Sequence, residues 1–185
     1  MGVCLNSKIK FNIAYIKLCT EIEGPFKRCC IWFQGCNINC EGCCNKDLQP
    51  LVPNHIVSLD KLIDIVKSAK EKYGIEGITL SGGEPSLQKG LHIFNREIKK
   101  MGLGIIMFSG KKRKNLNPDL VNSLDLLIDG PFIQSEIDNS RILLGSKNKC
   151  LNFITDRYIG ENDYFNKDIS IEEVAVDDYI FINGD

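Results

Sequence analysis

Between Arg28 and Gly130, four short apolar runs alternate with helical stripes, and each run ends on a polar, glycine-rich or cysteine-rich segment. This alternation constrains the fold more than any other feature of the chain. "RCCIWF", Arg28 to Phe33, reads as a buried strand that stops at Gly35. "SLDKLIDIVKSAKEKYG" sets Leu59, Leu62, Ile63, Val66 and Ala69 on one helical stripe, with Ser58 as N-cap and Gly74 as the stop. A short strand through Ile78 to Leu80 follows and breaks at "SGGEP". Leu87 to Met101 reads as a second amphipathic helix, "GIIMFSG" as a third strand, Pro118 to Ser123 as a short helix and "LDLLIDGP" as a fourth strand. Such a series predicts an α/β fold, a parallel sheet covered by helices. The cysteine loop, Ser81–Pro85, Ser109-Gly110 and Asp129-Gly130 then lie at the strand ends on one face, where parallel β/α folds build their sites.

Beyond Asn148 one further strand, "CLNFITD", is expected, and the alternation in "IEEVAVDDYIFING" fits an edge strand or a partner contact. The 185 residues read as one domain with its core over about residues 23–156 and an undetermined tail from 160. A chain this long buries roughly 70% of its unfolded surface and needs no cysteine staples. Its 23 basic and 24 acidic residues leave a net charge of −1, which draws it neither to nucleic acid nor to a membrane surface. No stretch is apolar enough for a signal-peptide core or a membrane span, so a reducing cytoplasmic compartment is expected. Clustered thiols there serve metals or redox chemistry more often than disulfides.

Nine cysteines occur, and four of them fall within "CNINCEGCC". Cys36, Cys40 and Cys43 stand at C-x3-C-x2-C spacing, which random placement would produce about 0.02 times in a chain of this composition. A structural zinc site prefers two separated ligand pairs, and neither His55 nor His92 has ligand-type spacing. A thioredoxin-like pair would use Cys40 and Cys43 but leave Cys36 and Gly82–Pro85 without a role. A 4Fe–4S cube accepts thiolates at its corners; three closely spaced cysteines leave its fourth iron open. Cys44 is a poor fourth ligand, because consecutive side chains in a tight loop diverge.

The cysteine triplet after the first strand, with "SGGEP" after the second, resembles the radical S-adenosylmethionine (SAM) superfamily. The resemblance implies a partial, open β/α barrel of parallel strands. It also implies a 4Fe–4S cluster on Cys36, Cys40 and Cys43, with SAM chelating the open iron and yielding a 5′-deoxyadenosyl radical. By the same resemblance, Gly42, Cys43 and Cys44 contact the adenosyl group, Gly82, Gly83 and Glu84 hold the methionine group, and Ser109 and Asp129 line the mouth. "EGPFKRCCIWFQGCNINCEGCCNKDL", "LSGGEP", "LDLLIDGPFIQ" and "RILLGSKNKCL" are most similar to activating enzymes of glycyl radical enzymes, above all those of anaerobic ribonucleoside-triphosphate reductase.

The implied partners are a large glycyl radical enzyme as protein substrate and an electron donor of flavodoxin or similar type. Three positions depart from the family pattern. Cys44 follows the third cysteine, Arg141 stands three residues early in the "RGS" stretch, and Lys149 takes the place of a glutamine. Two rival readings are another small radical SAM enzyme (7-carboxy-7-deazaguanine synthase-like or peptide-modifying) and a non-catalytic metal-binding interaction module. Cys29 and Cys30 are expected in the core, and Lys111–Lys114 as a solvated loop that supplies positive potential or meets an acidic partner.

Overall fold

A computed structural model describes residues 8–166, together with the backbone of 172–176 and 179–183. A seven-stranded sheet organises it, in the order β3-β1-β2-β4-β5-β6-β7. The four expected strands are β2 (Arg28–Phe33), β4 (Gly77–Gly82), β5 (Gly104–Ser109) and β6 (Leu126–Asp129), and they run parallel to one another. Both outer sides differ from an all-parallel sheet. β7 (Cys150–Phe153) pairs antiparallel with β6, and β1 (Lys10–Thr20) pairs antiparallel with β2. β3 (His55–Ser58) closes the opposite side, antiparallel to β1. The sheet is therefore open, with edges at β3 and β7. β1 and β3 escaped the sequence reading for a physical reason: β1 is irregular in register and β3 buries none of its four residues.

Helix α1 (Leu59–Tyr73) has the expected caps: Ser58 Oγ accepts from Lys61 N, and Gly74 takes φ 65°. Helix α2 spans Leu91–Lys100, four residues later than expected, because Gly90 sits at φ 82° and Pro85–Leu87 forms a separate 3₁₀ turn. Helix α3 covers Pro118–Asn122. All three helices pack on one sheet face, where Leu62, Val66, Phe94, Ile98 and Val121 meet Cys29, Ile31, Ile78, Leu80, Ile105 and Met107. On the other face, Leu144, Tyr158 and Phe165 cover Ile106, Leu126 and Ile128. Strands buried on both faces account for the unbroken apolar runs. Cys29 and Cys30 point to opposite faces and are fully buried, as expected for packing cysteines; burial pushes the Cys29 thiol up to about 12.

In the tail, the backbones of β8 (Glu172–Val176) and β9 (Tyr179–Asn183) pair antiparallel in a separate two-stranded ladder instead of extending the main sheet. Residues 1–7, 167–171, 177–178 and 184–185 lie outside the described residues, so the chain's first residues and some of the tail do too. Among the described residues no helix is long and apolar enough to cross a membrane.

The end of the sheet opposite the strand-end loops is fastened by Arg28. Its fully buried guanidinium donates to Thr79 Oγ1 at 2.7 Å, Tyr158 Oη at 2.8 Å, the Pro25 carbonyl at 3.1 Å and the Ile78 carbonyl. Two glycines make room for it. A Cβ on Gly77 would lie 2.7 Å from Arg28 Nη1, and one on Gly104 would lie 2.1 Å from Tyr158 Oη.

Candidate functional site

The four strand-end segments converge, as the parallel register requires. The cysteine loop leaves β2 at Gly35 (φ 101°), and its two ends are tied together. Gly35 N donates to the Leu48 carbonyl at 2.8 Å, and Cys36 N to that of Gln49 at 2.9 Å. Within this closed loop, Asn39 (φ 54°) and Gly42 (φ 72°) turn the backbone through the left-handed region. Cys36, Cys40 and Cys43 carry free, half-buried thiols, and Cys44 is exposed. The amide of Ile38 donates to Cys36 Sγ at 3.4 Å, the kind of hydrogen bond that steadies a sulfur ligand and tunes the metal it holds.

Among the described residues no three His, Cys, Asp or Glu side chains are gathered around the position of one ion. A single zinc draws its sulfurs to about 2.3 Å from itself, whereas an iron–sulfur cube takes each thiolate on a different iron. A three-thiol loop of this kind fits the cube.

β4 delivers the second motif directly beneath that loop. The resemblance gives the two glycines to a bound methionine group; in the fold, a close approach to them is made by the chain itself. A Cβ on Gly82 would stand 2.3 Å from Phe33 N, and one on Gly83 would stand 2.3 Å from the Gly35 carbonyl oxygen. Glu84 N donates to that same Gly35 carbonyl at 2.9 Å, and Asn45 Nδ2 donates to the Gly82 carbonyl at 3.3 Å. Cysteine loop and Gly-Gly-Glu turn are thus interlocked backbone to backbone.

Glu84 is fully buried, and each of its oxygens accepts. Oε1 takes Ser109 Oγ–H at 2.9 Å and Ser86 N–H at 3.0 Å, and Oε2 takes Gly110 N–H at 2.9 Å. Ser109 Oγ accepts in turn from Lys111 N at 3.0 Å. The carboxylate therefore locks the end of β4 to the end of β5. Glu84→Gln places an amide N–H against one of these donors. It should cost about 2–3 kcal/mol, measured by denaturant unfolding; unchanged stability would show that the three donors do not grip this side chain.

Asp129 does similar work on β6, the next strand of the sheet. Its Oδ2 accepts from Arg113 N, and its Oδ1 from Asn152 Nδ2 at 3.0 Å, so it braces a neighbouring turn and β7, not its own turn. Ser109 and Asp129 end β5 and β6, and their polar atoms are engaged in holding backbone and neighbouring strands.

Sequence reasoning passed over two further mouth residues. Lys149 Nζ donates to the Gly130 carbonyl at 3.0 Å; burial pulls its pKa down, and negative charge at Cys40, Glu84, Cys44 and Cys43 opposes that pull. Asn148 donates through Nδ2 to the Pro131 carbonyl at 2.8 Å, while its buried Oδ1 has no partner among the described residues. Lys149 had a signal, as a departure from the family pattern; Asn148 had none.

Arg141, the displaced arginine, braces this segment from outside through Asp138 and the carbonyls of Ser146, Lys147 and Lys149. A cleft of about 490 Å³ opens beside Glu41, lined by Phe132, Ile133, Gln134 and Ser135. At its edge the Gln134 side chain lies over Gly42, where a Cβ would meet Gln134 Cδ at 2.9 Å.

Comparison with known proteins places the chain in a family. Residues 22–152 match the family described as "4Fe-4S single cluster domain". The anaerobic ribonucleoside-triphosphate reductase-activating protein of Escherichia coli K12 is 28% identical over 147 residues, covering 72% of this chain and 92% of that protein. The protein of the same name from Haemophilus influenzae is 30% identical over 146 residues, covering 70% and 90%. Among solved structures, QueE from Escherichia coli aligns with a TM-score of 0.49 at 12% identity, over 65% of this chain and 70% of that one.

Proposed function

We propose that this chain, which belongs to the 4Fe–4S single cluster domain family and to the anaerobic ribonucleoside-triphosphate reductase-activating proteins, is a radical SAM enzyme that installs a glycyl radical on a large partner reductase. The observation that carries the reading is the interlock of the two motifs. Cys36–Cys43 and Gly82–Glu84 lie some forty residues apart in the chain, yet Gly35 bonds directly to Glu84 and Asn45 to Gly82. A non-catalytic metal clip gives no reason for the second motif to be built into the first.

In this reading Cys36, Cys40 and Cys43 hold the cluster and leave one iron to SAM. Held there, a 4Fe–4S cluster would supply the single low-potential electron that reductive cleavage of SAM requires. The remaining tasks fall to the chain. The backbone of Gly82 and Gly83 faces the methionine group, with Glu84 setting the position of that turn through Ser109 and Gly110. The backbone of Gly42 to Cys44 faces the adenosyl group. Lys149 and the side-chain Oδ1 of Asn148 offer a cation and an acceptor beside Gly130.

The cleft beside Glu41 suits a segment of a protein substrate brought by docking. An electron donor of flavodoxin type, or another low-potential carrier, reduces the cluster from outside.

The test is anaerobic reconstitution with iron and sulfide, reduction, and EPR with and without SAM. The expected result is a 4Fe–4S signal perturbed by SAM, release of 5′-deoxyadenosine, and a glycyl radical doublet once the large reductase subunit is added. Bound zinc with no SAM cleavage would refute the enzyme reading. SAM cleavage without a glycyl radical would refute only the assignment of the partner.

A further inference from the structure

The run Lys111, Lys112, Arg113 and Lys114 is four cations in a chain whose net charge is −1. A solvated loop would account for it if the turn were loose, but it is held at both ends by the site. Lys111 N is bonded to Ser109 Oγ at 3.0 Å, and Arg113 N is bonded to the buried carboxylate of Asp129. A 3₁₀ turn over Arg113–Asn115, closed by Leu116 N to the Arg113 carbonyl at 3.1 Å, fixes the remainder.

The side chains point outward. Lys112, Arg113 and Lys114 are exposed, and among the described residues none of the four cations enters an ion pair. The carboxylate nearest to them in bonding terms, Asp129, is buried and committed to the amide of Arg113 and to Asn152. The turn thus presents uncompensated positive charge at a fixed place.

That place adjoins the cysteine loop. Gly110, the residue before Lys111, packs against Ile38 midway between Cys36 and Cys40, where a Cβ would lie 2.5 Å from Ile38 Cδ1. A protein seated on the basic turn is therefore held one residue away from the loop that carries the thiols. Electron transfer needs this kind of site: a short path with no shaped pocket for substrate. Charge complementarity also suits a brief, fast encounter better than a tight one.

We infer that the Lys111–Lys114 turn is the docking surface for a small acidic carrier protein with a low-potential one-electron cofactor, reduced flavin or iron–sulfur. Its contact delivers electrons to the cluster across Gly110 and Ile38. The step balances as one electron: the carrier's cofactor is oxidised by one, the cluster is reduced by one, and no atom or proton crosses. This inference rests on the radical SAM reading above, and its test is built to fail separately.

The reconstituted full chain and its Lys112→Glu/Lys114→Glu variant are mixed anaerobically with reduced flavodoxin, and the bleaching of the cluster's visible absorption is followed by stopped flow. At low ionic strength the variant should be reduced about tenfold or more slowly than the unmodified chain. Added salt should slow the unmodified chain and shrink the difference. Lys112→Arg/Lys114→Arg should behave as the unmodified chain, and reduction by dithionite should be the same in all three.

Equal flavodoxin rates, or a rate in the unmodified chain that is indifferent to salt, would overturn the inference. So would an equal loss with dithionite, which would make the turn integral to the cluster's own architecture. Normal reduction with lost binding of the large reductase subunit would assign the turn to that partner and also overturn it. A chain that takes up no cluster, or cleaves no SAM with dithionite, would instead refute the underlying function.

Discussion

Cys40→Ala should abolish the cluster and all SAM cleavage, whereas Cys44→Ala should keep iron and sulfide contents close to those of the unmodified chain. The contrast follows from the loop. Cys36, Cys40 and Cys43 sit half-buried along one stretch of chain closed by the Gly35–Leu48 and Cys36–Gln49 hydrogen bonds, which keeps all three on the same loop. Removing one of three ligands leaves a cube with two protein thiolates and two open irons, which a fold of ordinary stability does not retain. Cys44 is exposed, and its successor Asn45 is drawn towards the end of β4 by its bond to the Gly82 carbonyl. Iron and sulfide analysis with EPR reads the result; loss of the cluster in Cys44→Ala would mean that the ligand set is wrong.

Arg28→Met should lower stability by about 3 kcal/mol, a fall in Tm of roughly 6–12 °C for a chain of this size. Methionine nearly fills the space but donates to nothing. The Pro25 and Gly104 carbonyls and the Tyr158 hydroxyl lose a buried charged partner, and the guanidinium stacked 5.3 Å from the Tyr158 ring is lost as well. Replacing a whole buried polar network by apolar groups can be neutral; replacing one member leaves the others unsatisfied.

Two further variants sharpen the test. Arg28→Lys should rescue little, since a single ammonium cannot reproduce a fork that reaches Thr79, Tyr158 and three carbonyls. Arg28→Met with Tyr158→Phe should cost less than the sum of the two changes, because both act through one contact. A Tm within about 2 °C of the unmodified chain would show that Arg28 does not clamp the 156–166 segment to the sheet.

Much of the fold was legible because its signals are local. Ser58 and Gly74 delimit α1 through bonds made within one turn, and β2, β5 and β6 announce themselves as unbroken apolar runs. α2 began late because one residue, Gly90, took a left-handed conformation that its neighbours did not signal. β1 and β3 were missed because an antiparallel extension at an open edge depends on pairing partners far along the chain. The thiol triplet was legible for the reason α1 was, since three cysteines carried by one loop are close in sequence.

By itself, then, the sequence determined the β/α alternation, the thiol triplet and the presence of a Gly-Gly-Glu-Pro turn at a strand end. Only the tertiary structure decided what those segments do to one another. It turned Gly82 and Gly83 into the seam between β4 and β2, and Glu84 into the tie between β4 and β5. It made Asp129 the anchor of a basic turn, and set Lys149 and Asn148 at the mouth. The physical reason is separation along the chain. Periodicity and spacing encode what a residue does with neighbours a few positions away, whereas Arg28 meets Tyr158 across 130 positions, and only the folded sheet brings them within 2.8 Å.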